Sequence, residues 1–349
     1  MHSNATIIER ALLKQKTRRL PCFPLIDIAF ASSYAGQPMR EVQLDPQLHA
    51  RALSKCAEQL PVDGIYINLC LDALQGKRIS ESEVLIDKSL HLVIPENDVL
   101  SISSTDIKSL TDDRILEAEL FHPGMLATFK NINDYIKNEY AVVVGLTGTF
   151  SQVAFLFGIT EFMIALLDQP EVVHRTLKKR HEIAIRQVEE LCDAGARFIW
   201  IGEGLGSGSL ISPVQYRDFV LPYEVELAKE IRKHGALSLL HICGDVTNSL
   251  VDIAKCSADG FDLDYPVDLV SALDILLPDV AVKGNINPRL FMEGFSEELK
   301  NACLQAKAAA ADRDGFIMST GCLVPRDSVN ESFRIMADIC VYNQVERYS

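Results

Sequence analysis

The chain has 349 residues, 48% of them hydrophobic and 23% charged. That is enough to bury a large core, and more than most single domains hold unless the fold is a barrel. Its formal net charge of −14 argues against nucleic acid as a partner, since phosphate binding needs a basic face. No run of about 20 apolar residues marks a membrane span, and the first residues lack the basic-then-apolar pattern of a secretory leader. Nine irregularly spaced cysteines fit reduced thiols better than a disulfide framework, so a cytoplasmic location is expected.

Taken in order, the chain alternates strands with helices. Thr6 to Lys16 reads as an amphipathic helix opened by a capping box, Thr6 to Glu9. Cys22 to Phe30 is a first buried strand. Asp45 caps a helix with Pro46 at its first position, and the helix stops before Pro61. Gly64 to Leu71 is the second strand. Residues from about 72 to 139 break the rhythm and read as an insertion between strands two and three, with a hairpin expected over 77–95. Ala141 to Leu146 is the third strand, followed by helices over 160–168 and 170–194. Phe198 to Gly202 is the fourth strand; Ser212 and Pro213 then open a helix that ends at Gly235. Leu237 to Cys243, Gly260 to Asp264, Val280 to Ile286 and Gly315 to Gly321 complete the strands, and Ser328 to Glu331 caps a final helix. Eight strands that read mostly as continuous apolar runs, each followed by helical sequence, give an α/β fold of the (β/α)8 TIM-barrel type. One domain over residues 1–349, insertion included, is expected. A doubly wound open sheet is the alternative, but no G-x-G-x-x-G follows the first strand.

Barrel chemistry gathers at the C-terminal ends of the strands. Those ends carry Asn68, Thr147, Glu203, His241, Cys243, Asp264, Asn285, Asn287 and Cys322. The stretch Leu239-Leu240-His241-Ile242-Cys243-Gly244 is the most informative. Side chains alternate along a strand, so His241 and Cys243 face the same way, roughly 7 Å apart. If strands five and eight bring Cys322 beside them, one His and two Cys converge. Three such ligands with an open fourth position are the pattern of a catalytic zinc. Glu203 would be a labile fourth ligand or a proton acceptor. Asp264 would hold a polar group of the substrate or orient His241; Asn285 and, less directly, Asn68 would bind substrate, while Lys283 belongs to the wall. The same residues also suit a core histidine among buried thiols.

These elements resemble the uroporphyrinogen decarboxylase superfamily and, within it, the methylcobamide:coenzyme M methyltransferases. The marks are Gly145 to Gly148, Leu210 to Pro213 with Phe219 to Tyr223, His241 to Gly244, Gly284 to Pro288, and Gly321 with Cys322. The resemblance implies zinc on His241, Cys243 and Cys322, and methyl transfer from a methylated corrinoid, carried on a partner protein, to a thiol such as coenzyme M. A non-thiol acceptor such as tetrahydrofolate, a related decarboxylation, and a non-catalytic zinc- or corrinoid-binding barrel are the alternatives. Decarboxylation is disfavoured by three departures: no arginine occurs from Pro21 to Met39, Asn68 stands where the decarboxylases carry their aspartate, and Leu156 aligns near their tyrosine.

Overall fold

The computed structural model describes residues 4–67, 123–137, 139–311 and 313–341. Seven parallel strands form one curled sheet in chain order: β1 (Gly64–Ile67), β2 (Ala141–Thr147), β3 (Phe198–Gly202), β4 (Leu237–His241), β5 (Gly260–Leu263), β6 (Ala281–Ile286) and β7 (Phe316–Thr320). The gap between β7 and β1 is spanned by residues 21–25. Cys22 and Leu25 bridge in parallel to Met318 and Leu323, and the Asp63 N–H donates to the Cys22 carbonyl at 2.8 Å.

The expected first strand is therefore shorter than its apolar run. Residues 28–30 turn into a helix instead. The Asp27 carboxylate accepts hydrogen bonds from the Ala29 and Phe30 N–H groups and caps α2 (Ile28–Ala35). An N-cap satisfies amide donors that a continued ladder would otherwise need, and it overrides the apolar pattern here. The N-terminal helix, α1 (Asn4–Leu12), also stops short of Lys16. Then come α3 (Met39–Leu44), α4 (Pro46–Gln59) with its Asp45 cap, and α5 (Pro123–Ile136), which packs along α4. The expected insertion falls largely on 68–122, outside the described residues, as do Asn68 and the hairpin.

After β2 comes a helix that the sequence pattern does not show, α6 (Thr149–Phe157). It starts at Gly148 with no side-chain cap, and its phenylalanines and Val153 read as strand. The segments α7 (Ile159–Asp168) and α8 (Pro170–Asp193) match expectation closely. Ser212 forms a capping box with Gln215, a wide helical turn covers Tyr216–Val220, and α9 (Leu221–Lys233) follows. The rest of the ring carries α10 (Leu250–Ile253), α11 (Leu269–Leu276), α12 (Ser296–Ala309) and α13 (Asn330–Val341). Among the described residues no single helix is long and apolar enough to cross a membrane.

Strand alternation divides the core in two. Outward residues such as Ile65, Val144, Ile199, Leu240, Phe261 and Met318 pack against the helices. Inward residues Phe23, Tyr66, Val143, Phe198, Leu239 and Ile317 form a second cluster with Ile7, Ile8, Ala11 and Leu12 of α1. Helix α1 thus closes the N-terminal end of the sheet. Each large apolar side chain buried there contributes about 1.5–3 kcal/mol. Towards the other end of the same strands the inward positions turn polar.

Candidate metal centre

His241 is the last residue of β4, and Cys243 lies two residues beyond it on the same side. Cys322 follows β7 by two residues. The curl of the sheet brings them together: His241 Nε2 lies 3.2 Å from Cys243 Sγ. The donor atoms of His241, Cys243 and Cys322 all fall within 4.8 Å of one another. One ion at about 2.0–2.3 Å from each donor satisfies that spacing. His241 is buried, whereas the two thiols are half-buried, so the cluster faces outward at the C-terminal end of the strands.

The imidazole is fixed by an edge contact and a face contact. Its Nδ1 lies 2.8 Å from the Asp262 carbonyl oxygen. A carbonyl only accepts, so Nδ1 carries a proton, and Nε2, turned to the cysteines, is the nitrogen that would give up its proton to a metal. The Trp200 ring stacks on His241 at 5.1 Å. Burial opposes the charged form of the imidazole, but Cys322, Asp262 and Asp264 outweigh it and hold His241 up at about 9. A hydrogen bond with Cys243, together with burial, keeps the Cys322 thiol well above its ordinary range. Neighbouring thiols resist ionising together, and a divalent cation would stabilise both thiolates. The residues therefore fit zinc.

Two other expected residues hold the turns that carry the donors. Asp264 accepts from the Gly244 N–H at 2.6 Å and from the Tyr265 N–H at 2.7 Å, so it ties the turn after Cys243 to the end of β5. Burial pushes its carboxyl up, against those bonds and the pull of His241. Gly321, just before Cys322, runs so close to the Tyr265 N and Asp264 that a Cβ would collide with them. Asn285 donates to the Val267 carbonyl at 2.7 Å and braces the loop after β5.

Glu203 is placed differently. Its main-chain N–H donates to the His241 carbonyl at 2.8 Å, but its carboxylate turns to the first turn of α6. There it accepts from the Ser151 N–H at 2.7 Å and from the Ser151 hydroxyl. A Cβ at residue 148 would occupy the space of this carboxylate, so glycine is required there. Burial pushes Glu203 up to about 7 despite the donors from Ser151 and Phe150. It stands outside the group of three donors.

Sequence reasoning passed over the layer just beneath. Lys283 and Asp262 form an ion pair at 2.9 Å, with exposures of 1% and 0%. Asp262 also accepts from Trp200 Nε1 at 3.0 Å. The signal was present in β5, where Asp262 and Asp264 both fall on the inward register and do not suit an apolar core. Elsewhere, Glu189, Glu230 and His234 also come within metal-binding reach of one another on α8 and beside α9. They are largely exposed, and Glu230 is already paired with Lys233 and His234.

Comparison with known proteins places the chain. The family description "Uroporphyrinogen decarboxylase (URO-D)" matches residues 3–341. Chloroplastic uroporphyrinogen decarboxylase 2 of Arabidopsis thaliana is 26% identical over 228 residues, which is 62% of this chain and 57% of that protein. Methylcobamide:CoM methyltransferase MtaA of Methanosarcina barkeri is 23% identical over 229 residues, 64% of this chain and 65% of that protein. The aligned part is thus less than two thirds of either relative's length. A solved methyltransferase from Methanosarcina mazei superposes with a TM-score of 0.78 over 97% of this chain and 98% of its own, at 17% identity, a likeness of fold. With the family description matched over nearly the whole sequence, the chain belongs to the uroporphyrinogen decarboxylase (URO-D) family.

Proposed function

We propose that this protein is a zinc-dependent methyltransferase that moves a methyl group from a methylated corrinoid, presented by a partner protein, to a thiol such as coenzyme M. The carrying observation is the convergence of His241, Cys243 and Cys322 at the C-terminal ends of the strands. The similarity to a methylcobamide:CoM methyltransferase supports it. The reading takes the sheet as a (β/α)8 barrel in a single domain, with residues 21–25 as the stave that closes the ring and an insertion after β1.

In this reading His241, Cys243 and Cys322 hold the zinc, which when bound lowers the pKa of a substrate thiol and keeps its sulfur nucleophilic near neutral pH. The chain's own residues do the rest. The Asp262 carbonyl keeps a proton on His241 Nδ1 and leaves Nε2 as the nitrogen turned to the metal. Asp264 and Asn285 keep the turns after β4 and β5 at fixed distance, so the donors do not spread. Glu203 is kept as the proposed acceptor of the thiol proton, although its carboxylate is turned to Ser151 and lies outside the group of three donors. Asn285 and Asn68 are proposed to touch the acceptor. A methylated corrinoid presented at this end of the sheet would supply the methyl group to the thiol sulfur, the electron pair of the cobalt–carbon bond staying with the cobalt.

A decarboxylase is the second reading, favoured by the similarity to the Arabidopsis protein. The arginine-free stretch from Pro21 to Met39 and the neutral Asn68 argue against it. One experiment separates the readings. The purified protein is assayed for metal content, for methylcobalamin demethylation with a panel of thiols and tetrahydrofolate, and for uroporphyrinogen turnover. About one zinc per chain with thiol-dependent demethylation is expected. Full zinc occupancy in a His241→Ala, Cys243→Ala double variant, or turnover of uroporphyrinogen, would overturn the proposal. Demethylation with tetrahydrofolate alone would keep the corrinoid donor and replace the acceptor.

A further inference from the structure

The ion pair beneath the cluster is unexplained by stability. Inward positions nearer the N-terminal end of the strands are apolar: Val143, Leu239, Ala281 and Ile317. Branched apolar residues are the usual filling of such a ring. Replacing a buried ion pair by apolar residues is often neutral or stabilising, so stability alone does not account for Asp262 and Lys283 at this depth. Their position is more informative. His241 on β4 is in register with Asp262 on β5, and Asp262 is in register with Lys283 on β6. The three side chains form one row across the inner face.

Along this row Asp262 is held at both ends. Its main-chain carbonyl takes the His241 Nδ1 proton at 2.8 Å. Its carboxylate takes Lys283 Nζ at 2.9 Å and Trp200 Nε1 at 3.0 Å. Trp200 in turn stacks on the face of the His241 ring. The imidazole is thus fixed by an edge contact and a face contact, and both trace back to Asp262. The ammonium lies over the Phe23 ring at 5.0 Å.

We propose that Asp262 and Lys283 are a positioning pair for the metal centre, holding the His241 ring in its ligating orientation. The inference rests on the zinc reading above. Second contacts to a metal-bound histidine typically change metal affinity by about 10- to 100-fold. Without Lys283 the Asp262 carboxylate keeps only Trp200, and an unbalanced buried charge is left beside His241.

The test compares zinc affinity, the absorption spectrum of the cobalt(II)-substituted protein and metal-free thermal stability. Lys283→Met is expected to weaken zinc binding by about 100-fold and risks misfolding. Asp262→Asn with Lys283→Met removes both charges and keeps the shape. That double variant is expected to be as thermally stable as the parent without metal, to bind zinc at least about tenfold more weakly, and to show shifted sulfur-to-cobalt charge-transfer bands. Trp200→Phe keeps a ring against His241 and removes the contact with Asp262. It is expected to lose about tenfold in affinity with both charges intact. A purely structural pair would lower the thermal midpoint and leave the cobalt spectrum and zinc affinity of the folded protein unchanged. That result, in either the double variant or Trp200→Phe, overturns the proposal. The two levels are separable. If the parent protein takes up neither zinc nor cobalt, the zinc reading itself falls. If uptake is lost in Cys322→Ser but unaltered in the folded pair variants, only the positioning role falls.

Discussion

The two ends of the curled sheet are built from the same strands by opposite rules. At the N-terminal end the inward side chains are apolar and close against α1. At the C-terminal end the same register places His241, Cys243, Asp262 and Asp264, and the turns after it place Cys322. Apart from Asp262, which keeps Lys283 at the polar end, the buried carboxylates follow the division. Near the N-terminal end Asp63 has a cation, Arg19, which binds both of its oxygens. At the other end Asp27, Glu203 and Asp264 accept bonds mainly from main-chain N–H groups. Amide donors stabilise a charge less than a guanidinium does, so burial dominates and pushes all three carboxyls up. One end secures the fold; the other keeps buried polar groups at a cost in local stability.

If that division is right, substitutions at the two ends have separable consequences. The largest concerns the metal. Cys322→Ser is expected to reduce zinc from about one per chain to nearly none, with the metal-free thermal midpoint almost unchanged. Elemental analysis and calorimetry on the same sample check this. A variant that cannot fold would show that the polar end carries stability after all.

Next in size is the apolar end. Leu239 is fully buried two residues before His241 on the same inward face. Leu239→Ala is expected to cost about 2–5 kcal/mol in urea unfolding, with zinc stoichiometry unaltered where the variant is still folded. Loss of zinc from the folded variant would mean that the two ends are mechanically coupled.

The third prediction uses pH. Asp27 is 2% exposed, and burial raises its carboxyl from 3.8 to about 6 despite the bonds from Phe30 and Ala29. A carboxyl raised in the folded state binds its proton more tightly there than in the unfolded chain. Its favourable contribution is therefore complete below pH 3.8 and is lost as pH rises through about 6. Asp27→Asn keeps a competent cap for α2 and removes the titration. Across that window the parent should lose stability relative to the variant by an amount on the order of 3 kcal/mol. Urea unfolding at a series of pH values reads the difference; a flat difference would mean that burial does not raise the Asp27 carboxyl.

The smallest effect lies at the surface of the closed end. Arg197 and Glu9 pair at 2.9 Å between β3's lead-in and α1, with side-chain exposures of 57% and 33%. Arg197→Ala is expected to cost under about 1 kcal/mol, and less in high salt. A larger loss would show that α1 depends on this contact more than on its apolar face.

What the sequence determined by itself was local or periodic. Apolar runs set the strands, and Asp45 and Ser212 announced their helices because capping depends on adjacent residues alone. The common facing of His241 and Cys243 followed from alternation within one strand. The grouping with Cys322 was a conditional drawn from the two strand ends and implied again by the resemblance; the contact itself depends on the curl of the sheet, which brings the end of β7 to the site. Only the tertiary structure decided which way side chains at strand ends turn. Glu203 ends β3 as expected, yet its carboxylate lies against α6, a helix hidden by its strand-like composition. Asp27 looked like part of a strand, but the chain leaves the sheet there and needs a cap. Asp262 carried a local signal as an inward carboxylate, but it becomes a pair with Lys283 only because β5 and β6 are in register. Such pairings depend on contacts between strands far apart in the chain, and no local pattern encodes them.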